Sequence, residues 1–390
     1  MKSKFKPSFF IKLQLVLSFF SLGILIFYFF SLRSQIEDSN KNRSVYKRFF
    51  EQYKAGGEGD QSLAKIVLPQ ELKHLPLGEL VLKTKKVTIR NVRAPHNASI
   101  IKHGSGYLIF FRYDVKNKRD YSSYIGCAEL DSNFTQTNKE FVKIETLNNH
   151  SEDPRVFYMG QEAYLLYVKS EFKKTIYPPF VSTMNLACID LNNYRIKFKT
   201  ELDPHFNSIE KNWSPFIYTQ KTGHSHLYFQ YSLNPHKILF LQDPQVNYLT
   251  TLSKDDSTPT SQWEKAGWGV LRGGTPAIKI GNNYLAFFHS SFLGKEGLIW
   301  YSMGAYTFES QPPFRITAIS PYPILFPGIY DSVSLNTAEA RKRVIFPTSF
   351  VIEEKNGKEL IHLSCGENDS AIKIVTIDKE ILLKSLKEVR

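Results

Sequence analysis

The most constraining feature of this 390-residue sequence is a pattern that recurs five times after the first 86 residues. Each copy has a polar head, a short apolar strand, a turn and a second apolar strand. The clear copies are HNASIIKHGSGYLIFFRYD (96–114), EDPRVFYMGQEAYLLYV (152–168), NWSPFIYTQKTGHSHLYFQYS (212–232) and GGTPAIKIGNNYLAFFHSS (273–291). A degenerate fifth copy is DSVSLNTAEARKRVIFPTSFV (331–351). The second strands of the five copies are predicted to start at Tyr107, Tyr164, His226, Tyr284 and Arg343, about 57 to 62 residues apart.

A repeat of this length, made of hairpins bounded by Gly, Asn and Pro, is typical of propeller blades. Between the hairpins, alternating stretches at 122–131 and 182–191 supply further strands for each unit. We therefore predict an all-β fold, a five-bladed β-propeller over residues 87–390. A pair of β-sandwiches is the alternative, but it would not require the polar head to recur at one place in every unit.

The first 86 residues have a different character. Residues 13–32, LQLVLSFFSLGILIFYFFSL, carry no charge and have the length that a helix needs to cross a bilayer. We predict a short basic tail at 1–12, a transmembrane signal anchor at 13–32 and a stalk at 33–86. A cleaved signal peptide is the alternative, but its apolar region would be shorter and followed by a small-residue cleavage site. Lysines in the tail favour a cytoplasmic N-terminus and a propeller on the lumenal or periplasmic side, although basic residues after the span reduce this bias.

The formal charge of +13 raises the question of an anionic partner. Basic residues are scattered, and no RNA-binding, helix-turn-helix or zinc-finger motif occurs, so no nucleic-acid partner is predicted. Cys127, Cys188 and Cys365 lie far apart without a CxxC pair, and we expect them to be buried apolar residues. No histidine spacing typical of a metal site and no phosphate-binding loop is present, so we predict neither a metal nor a cofactor.

In a propeller, the residues just before the innermost strands converge at one mouth of the central channel. The heads of the five copies are then neighbours in space. A carboxylate among cations suits a sugar together with a phosphate, because cations stabilise phosphate charge while the carboxylate carries a proton. The candidate site residues are Asn97, Glu152, Asp153, Arg155, Lys211, Asn212, His236, Arg272 and Asp331.

The segment EDPR (152–155) also has a purely structural interpretation. Asp153 could cap a turn at the start of a strand and pair with Arg155, as acidic residues before proline often do. Only the joint placement of several charged heads at one mouth favours the functional interpretation.

The ordered motifs resemble those of the β-mannoside phosphorylases and the related β-1,2-mannosyltransferases, which are five-bladed propellers. The motifs are APHNASI, EDPRVF, KNWSPF, YSLNPHKIL, GGTPAI, YLAFFHSS and LSCGENDSAIKIVTI. The resemblance implies an inverting reaction at a β-mannosidic bond, with Asp153 as the general acid/base. It further implies that Arg155 and Lys211 contact phosphate, that Asn97 and Asn212 contact sugar or phosphate oxygens, and that His236 completes the pocket.

The predicted anchor is unlike the soluble phosphorylases and favours synthesis. Our main expectation is therefore a membrane-anchored glycosyltransferase of mannosyl type that uses a sugar phosphate or nucleotide-sugar donor and a glycan acceptor. A glycoside hydrolase or phosphorylase is the first alternative, and for a furanosidase-like hydrolase the carboxylates Glu210, Asp331 and Glu367 are available. The second alternative is a non-catalytic propeller that binds carbohydrate or protein, in which the head charges only cap strands.

Overall fold

The computed structural model describes residues 68–389, apart from 117–120, 146, 148–149, 173–179, 203–206, 244–248, 256–260 and 334–341. The predicted tail, the transmembrane anchor and most of the stalk lie outside the described residues. Within the described part of the chain, no helix is long and apolar enough to cross a membrane. The described chain starts with the short helix α1 (Gln70–Lys73), whose Leu72 is buried, and continues with strand β1 (Val81–Val87).

Three four-stranded antiparallel sheets follow, and in each of them every strand pairs with the next strand in the chain. Sheet 1 contains β2 (His96–His103), β3 (Gly106–Lys116), β4 (Tyr121–Leu130) and β5 (Val142–Lys143). Sheet 2 contains β6 (Ser151–Met159), β7 (Glu162–Phe172), β8 (Phe180–Asp190) and β9 (Arg195–Leu202). Sheet 3 contains β10 (Ser214–Thr219), β11 (Ser225–Leu233), β12 (His236–Leu241) and β13 (Leu249–Asp255).

Sheet 4 follows helix α2 (Ser261–Lys265) and has seven strands. Six of them are β14 (Arg272–Gly273), β15 (Ile278–Ile280), β16 (Asn283–Leu293), β17 (Ile299–Glu309), β18 (Ile316–Ile319) and β19 (Lys342–Arg343). Sheet 5 is built from β20 (Ile345–Lys355), β21 (Lys358–Glu367) and β22 (Ala371–Asp378). After helix α3 (Lys379–Ser385), strand β23 (Lys387–Glu388) pairs with β18 as the seventh strand of sheet 4.

Strand β1 completes sheet 5 by pairing antiparallel with β22. The N-terminal strand therefore joins the strands at the C-terminal end, and the described chain forms an all-β propeller fold. The sequence analysis places residues 81–86 in the stalk, whereas they lie in this strand. The reason is that β1 is the outer strand of its sheet: its lysines stay in contact with solvent, and only Val87 is buried, so apolar alternation is weak.

The hydrophobic core lies between neighbouring sheets. Strand β3 shows why its sequence, GYLIFFRY, is almost continuously apolar: successive side chains point to opposite faces, and both faces are covered. Ile109 and Phe111 pack towards sheet 5, and Leu108 and Phe110 pack towards sheet 2. Each of the three cysteines is buried and reduced, as predicted.

The first strands of the sheets pack against one another near the centre, where β2 contacts β6 and β20. Three of these strands carry a β-bulge close to their start, between His96 and Ser99, between Glu152 and Arg155, and between Pro347 and Ser349. The third bulge corrects the sequence analysis. The head of the fifth unit is the segment at Pro347, in β20, and not Asp331. A long segment separates β18 from β20, so the first strand of the fifth unit starts later in the chain than the repeat spacing predicts.

Candidate active site

Three polar residues at the starts of sheets 1, 2 and 3 have left-handed backbone conformations. Asn97 has a φ of 46°, Asp153 of 51° and Asn212 of 66°. Asn and Asp adopt this region more readily than other residues with a side chain, because their short polar groups form local hydrogen bonds. The bulges in β2 and β6 interrupt the strand alternation at two of these positions. Asn and Asp therefore occur at the positions where the left-handed backbone directs a polar side chain towards the shared mouth.

A cavity of about 720 Å³ opens at this mouth. Six of the nine predicted site residues line it: Asn97, Glu152, Asp153, Lys211, Asn212 and Arg272. Sheets 1 to 4 therefore bring their heads to one cavity, as expected for a propeller mouth.

Asp153 is held by groups from two neighbouring sheets. Its Oδ1 accepts a 2.8 Å hydrogen bond from the Asn97 amide and lies 3.6 Å from Nη1 of Arg112. Burial alone would raise the pKa of this carboxyl. The positive charges of Arg112 and Lys211, together with the hydrogen bond from Asn97, instead lower it below its usual value. Asp153 is therefore ionised at neutral pH.

Arg112 is a central residue of the site that the sequence analysis missed. It lies in β3, directly opposite His96 in the strand register. Its guanidinium bonds Asp114 at 3.1 Å and Glu152 at 3.2 Å. Burial would lower the pKa of Arg112, but the surrounding carboxylates raise it, so the guanidinium is firmly charged. Counting back from the hairpin turn at residues 104–105 would pair His96 with Tyr113, and the bulge between His96 and Ser99 shifts the register so that Arg112 lies opposite His96.

Glu152 connects Arg112 and Lys211, the two cations that contribute most to lowering the pKa of Asp153. The Oε2 atom of Glu152 lies 3.2 Å from Nη1 of Arg112 and 3.3 Å from Nζ of Lys211. The cavity thus contains a compact cluster in which carboxylates and cations alternate.

Arg155 lies below the cavity and does not line it, contrary to the phosphate contact that the resemblance implied. The side chain is fully buried and crosses from sheet 2 to sheet 4. Its Nε donates a 2.5 Å hydrogen bond to the carbonyl of Gly274, and its Nη1 donates to the carbonyl of Asp153 at 3.3 Å. Burial lowers the pKa of Arg155 to about 10. Arg155 therefore contacts Asp153 through the main-chain carbonyl, and its charge also helps to lower the pKa of the Asp153 carboxyl, in partial agreement with the structural interpretation of EDPR.

Two further predicted residues lie outside the cavity lining. His236 is buried at the start of β12, with its ring 5.9 Å from that of Phe308. Asp331 pairs with Lys373 at 2.6 Å, and Lys373 also bonds the buried Glu367 at 2.9 Å. The first strand of the fifth unit starts later in the chain than predicted. Asp331 therefore lies in a loop before that strand, where it pairs with Lys373, and not at a blade head.

An aromatic wall on the sheet 4 side was also missed. His289 stacks on Tyr301 with ring centroids 6.0 Å apart and meets Phe346 edge-on at 4.6 Å, and all three line the cavity. Burial, with the nearby charge of Arg272, lowers the pKa of His289 to about 3, so its ring is neutral. Aromatic faces of this kind suit the apolar face of a sugar ring. Only the pairing of β16 with β17 brings His289 and Tyr301 together, so the head motifs could not reveal them.

Solved structures share this fold. A β-1,2-mannobiose phosphorylase from Listeria innocua has a TM-score of 0.53 at 15% identity, covering 82% of this chain and 96% of that one. A glycosyl hydrolase from Bacteroides ovatus has a TM-score of 0.52 at 13% identity, with 82% and 93% covered. MPT-4, a mannose phosphorylase from Leishmania mexicana, has a TM-score of 0.50 at 14% identity, with 80% and 92% covered. At these identities the likeness concerns the fold alone.

The family comparison is more specific. No curated protein matches the chain. Residues 76–388, however, match the glycoside hydrolase family 130 model, described as beta-1,4-mannooligosaccharide phosphorylase. This match includes all the head motifs and confirms the resemblance drawn from them. The chain therefore belongs to glycoside hydrolase family 130, a family of carbohydrate-active enzymes.

Proposed function

We propose that this protein is an inverting β-mannoside phosphorylase. One observation carries the proposal: in a chain of this family, Asp153 faces a cavity beside two cations, Arg112 and Lys211. The family match favours this function, the first alternative of the sequence analysis, over the membrane-anchored glycosyltransferase that was its main expectation.

In the reaction, Asp153 donates its proton to the glycosidic oxygen as the bond from that oxygen to the anomeric carbon breaks. Phosphate attacks the same carbon from the opposite face, so a β-mannoside yields α-mannose 1-phosphate and a sugar shortened by one mannose. A single carboxylate suffices because phosphate replaces the activated water of an inverting hydrolase. In the reverse direction, the ionised Asp153 takes the proton of an acceptor hydroxyl, so the same residues support synthesis from a sugar phosphate.

The surrounding groups have roles that follow from their charge. Arg112 and Lys211 hold phosphate, and Arg272 adds a third cation at the sheet 4 side. Asn97 and Asn212 contact sugar or phosphate oxygens. When phosphate binds the two cations, they stabilise the Asp153 carboxylate less, and its pKa rises towards the protonated form that the reaction requires.

Hydrolysis is the second candidate. Glu152 shares Nη1 of Arg112 with Asp153, so a second carboxylate is present at the mouth beside the acid/base candidate. The furanosidase-like arrangement is disfavoured, because Asp331 and Glu367 are both paired with Lys373, outside the cavity lining. A non-catalytic propeller fits less well, because Asp153 faces an open cavity.

Two finer features of the architecture belong to the same proposal. We count sheet 4, with its additional strands, as one of five blades. We also retain the single-pass anchor at 13–32 with the propeller on the lumenal or periplasmic side. Alkaline extraction of membranes from cells that express the protein tests the anchor: an integral protein stays in the pellet, whereas release into the supernatant contradicts it.

The reaction is tested by incubating the full-length protein with β-1,2- and β-1,4-mannobiose, with and without inorganic phosphate. We expect sugar release only when phosphate is present. Release of free mannose at the same rate without phosphate would establish hydrolysis instead. Failure to release sugar under either condition, with retained binding of mannobiose, would favour the non-catalytic propeller.

A further inference from the structure

Glu152 occupies the place between two cations where an anionic ligand would bind. Its Oε2 atom lies 3.2 Å from Nη1 of Arg112, in sheet 1, and 3.3 Å from Nζ of Lys211, which precedes sheet 3. The Glu152 side chain is only 15% exposed. One carboxylate oxygen from sheet 2 thus bridges cations contributed by both flanking sheets.

The charges of this cluster oppose the addition of another anion. Arg112 and Lys211 are surrounded by the carboxylates of Asp114, Glu152 and Asp153, and Asp369 adds another negative charge near Arg112. If phosphate joined this cluster with every contact retained, its negative charges would lie beside carboxylates in a largely buried site. Like charges at such distances repel strongly where little water screens them. Protonation of Asp153 removes one of these negative charges, and the remaining repulsion falls further if a second carboxylate releases its cations when phosphate binds.

The three carboxylates differ in how they are held. Asp153 is fixed by the 2.8 Å hydrogen bond from Asn97. Asp114 accepts a 2.7 Å hydrogen bond from the Ser123 hydroxyl in addition to its pairing with Arg112. The carboxylate of Glu152, among the residues that the structure describes, contacts only the two cations. Its side chain is also longer, so Glu152 can turn away at the lowest cost.

We propose that Glu152 is an internal competitor of phosphate, which neutralises Arg112 and Lys211 before phosphate binds and releases them when it does. This inference rests on the proposed phosphorylase function. Glu152, one of the candidate site residues of the sequence analysis, thus limits the affinity for phosphate.

The competition predicts an unusual gain of affinity on mutation. Glu152→Gln keeps the size of the side chain but removes its charge. Because a charge-assisted contact to each cation no longer has to be broken, the dissociation constant of phosphate should fall about tenfold. Glu210→Gln is the matched control: Glu210 also lines the cavity and is buried, but it bonds Trp213 and Tyr231 instead of the two cations. Its replacement should change phosphate affinity less than about threefold.

The experiment is calorimetric titration of inorganic phosphate into the full-length wild-type protein and both variants, with folding checked by thermal unfolding. If Glu152→Gln unfolds, Glu152→Ala tests the same direction. Tighter binding of phosphate by the Glu152 variant supports the proposal if the gain in affinity becomes smaller when Lys211→Met is added. If wild type binds phosphate and the Glu152 variant binds it no more tightly, the inference is wrong while the proposed function stands. If neither protein binds phosphate, the proposed function fails, and the inference fails with it.

Discussion

The Asn97 side chain donates a 2.8 Å hydrogen bond to Oδ1 of Asp153, although the two residues are 56 positions apart and belong to neighbouring sheets. Both have left-handed backbones, with φ values of 46° and 51°. The bond therefore joins equivalent positions of two successive repeats. It gives the carboxylate a fixed orientation and favours its ionised form.

Loss of this hydrogen bond should change the pH dependence of the reaction. Asn97→Gly removes the amide but tolerates the positive φ. Because the bond stabilises ionised Asp153, its removal raises the pKa of that carboxyl. Asp153 then keeps its proton to a higher pH, so the descending limb of the kcat profile should move upwards. Asn97→Ala should give the same shift, with an additional stability loss of about 1 kcal/mol from the strained backbone. A limb that stays in place or moves downwards would contradict this role.

A residue outside the cavity lining should control the same contact. A Cβ atom on Gly366 would stand 1.9 Å from Oδ1 and 2.8 Å from the backbone nitrogen of Asn97. Gly366→Ala must therefore displace Asn97 from Asp153, and we expect kcat to fall by at least about tenfold. Gly160→Ala is the control, because that glycine has a φ of 63° and no neighbour within 4 Å of an added Cβ. It should reduce stability slightly and leave kcat unchanged. Equal kcat values in the two variants would show that the position of Asn97 is unimportant.

Replacement of Arg155 should lower stability, whereas replacement of Lys211 should weaken phosphate binding. Arg155→Met leaves the buried carbonyls of Gly274 and Asp153 without a donor, which should cost about 2–4 kcal/mol of unfolding free energy. Lys211→Met should leave stability nearly unchanged, because its ion pair is partly exposed, but should raise the KM for phosphate. Urea unfolding and phosphate-dependent kinetics measure both effects. A large rise in the KM for phosphate in folded Arg155→Met would restore the role that the resemblance first suggested.

The position of a site residue within the repeat decides whether the sequence can predict it. Asn97, Asp153 and Asn212 were found because each stands at the head of a clear copy, and heads converge in a propeller. Arg112 was missed because it lies at the far end of the second strand, and only the register of the hairpin brings it to the mouth.

The fifth unit shows what a repeat pattern cannot reveal. Its true head is at Pro347, where neither an amide nor a carboxylate is present, so the polar signal is absent. The polar pattern therefore favours Asp331, which instead belongs to a loop that Lys373 holds through an ion pair. Strand β1 was missed for a related reason: an outer strand rich in lysine lacks the apolar pattern of a buried one, and only its pairing with β22 assigns it to the sheet.

Contacts between sheets 1 and 5 should lose part of their contribution to stability at acid pH. Glu353 accepts a 2.6 Å hydrogen bond from Lys102 and a 2.8 Å hydrogen bond from Tyr107. The bond from Lys102 is the main cause of a lowered pKa for Glu353. A carboxyl with a lowered pKa stabilises the fold above its unfolded pKa, and this contribution disappears as the pH falls through its folded pKa.

Glu353→Gln therefore should be less stable than wild type at pH 7, and the difference should shrink on acidification below about pH 4. Urea unfolding of both proteins at several pH values gives this comparison. A difference that grows towards acid pH would be incompatible with an ionised Glu353 in the folded protein.

The central claim is that Asp153 supplies the proton for phosphorolysis of a β-mannoside. The most direct measurement is ³¹P and ¹H NMR of the products formed from a β-linked mannobiose and inorganic phosphate by the full-length protein and by Asp153→Asn. We predict α-mannose 1-phosphate from the wild type, and a rate at least about 100-fold lower from the folded variant. Formation of β-mannose 1-phosphate, mannose release without consumption of phosphate, or an unchanged rate in Asp153→Asn would contradict the claim.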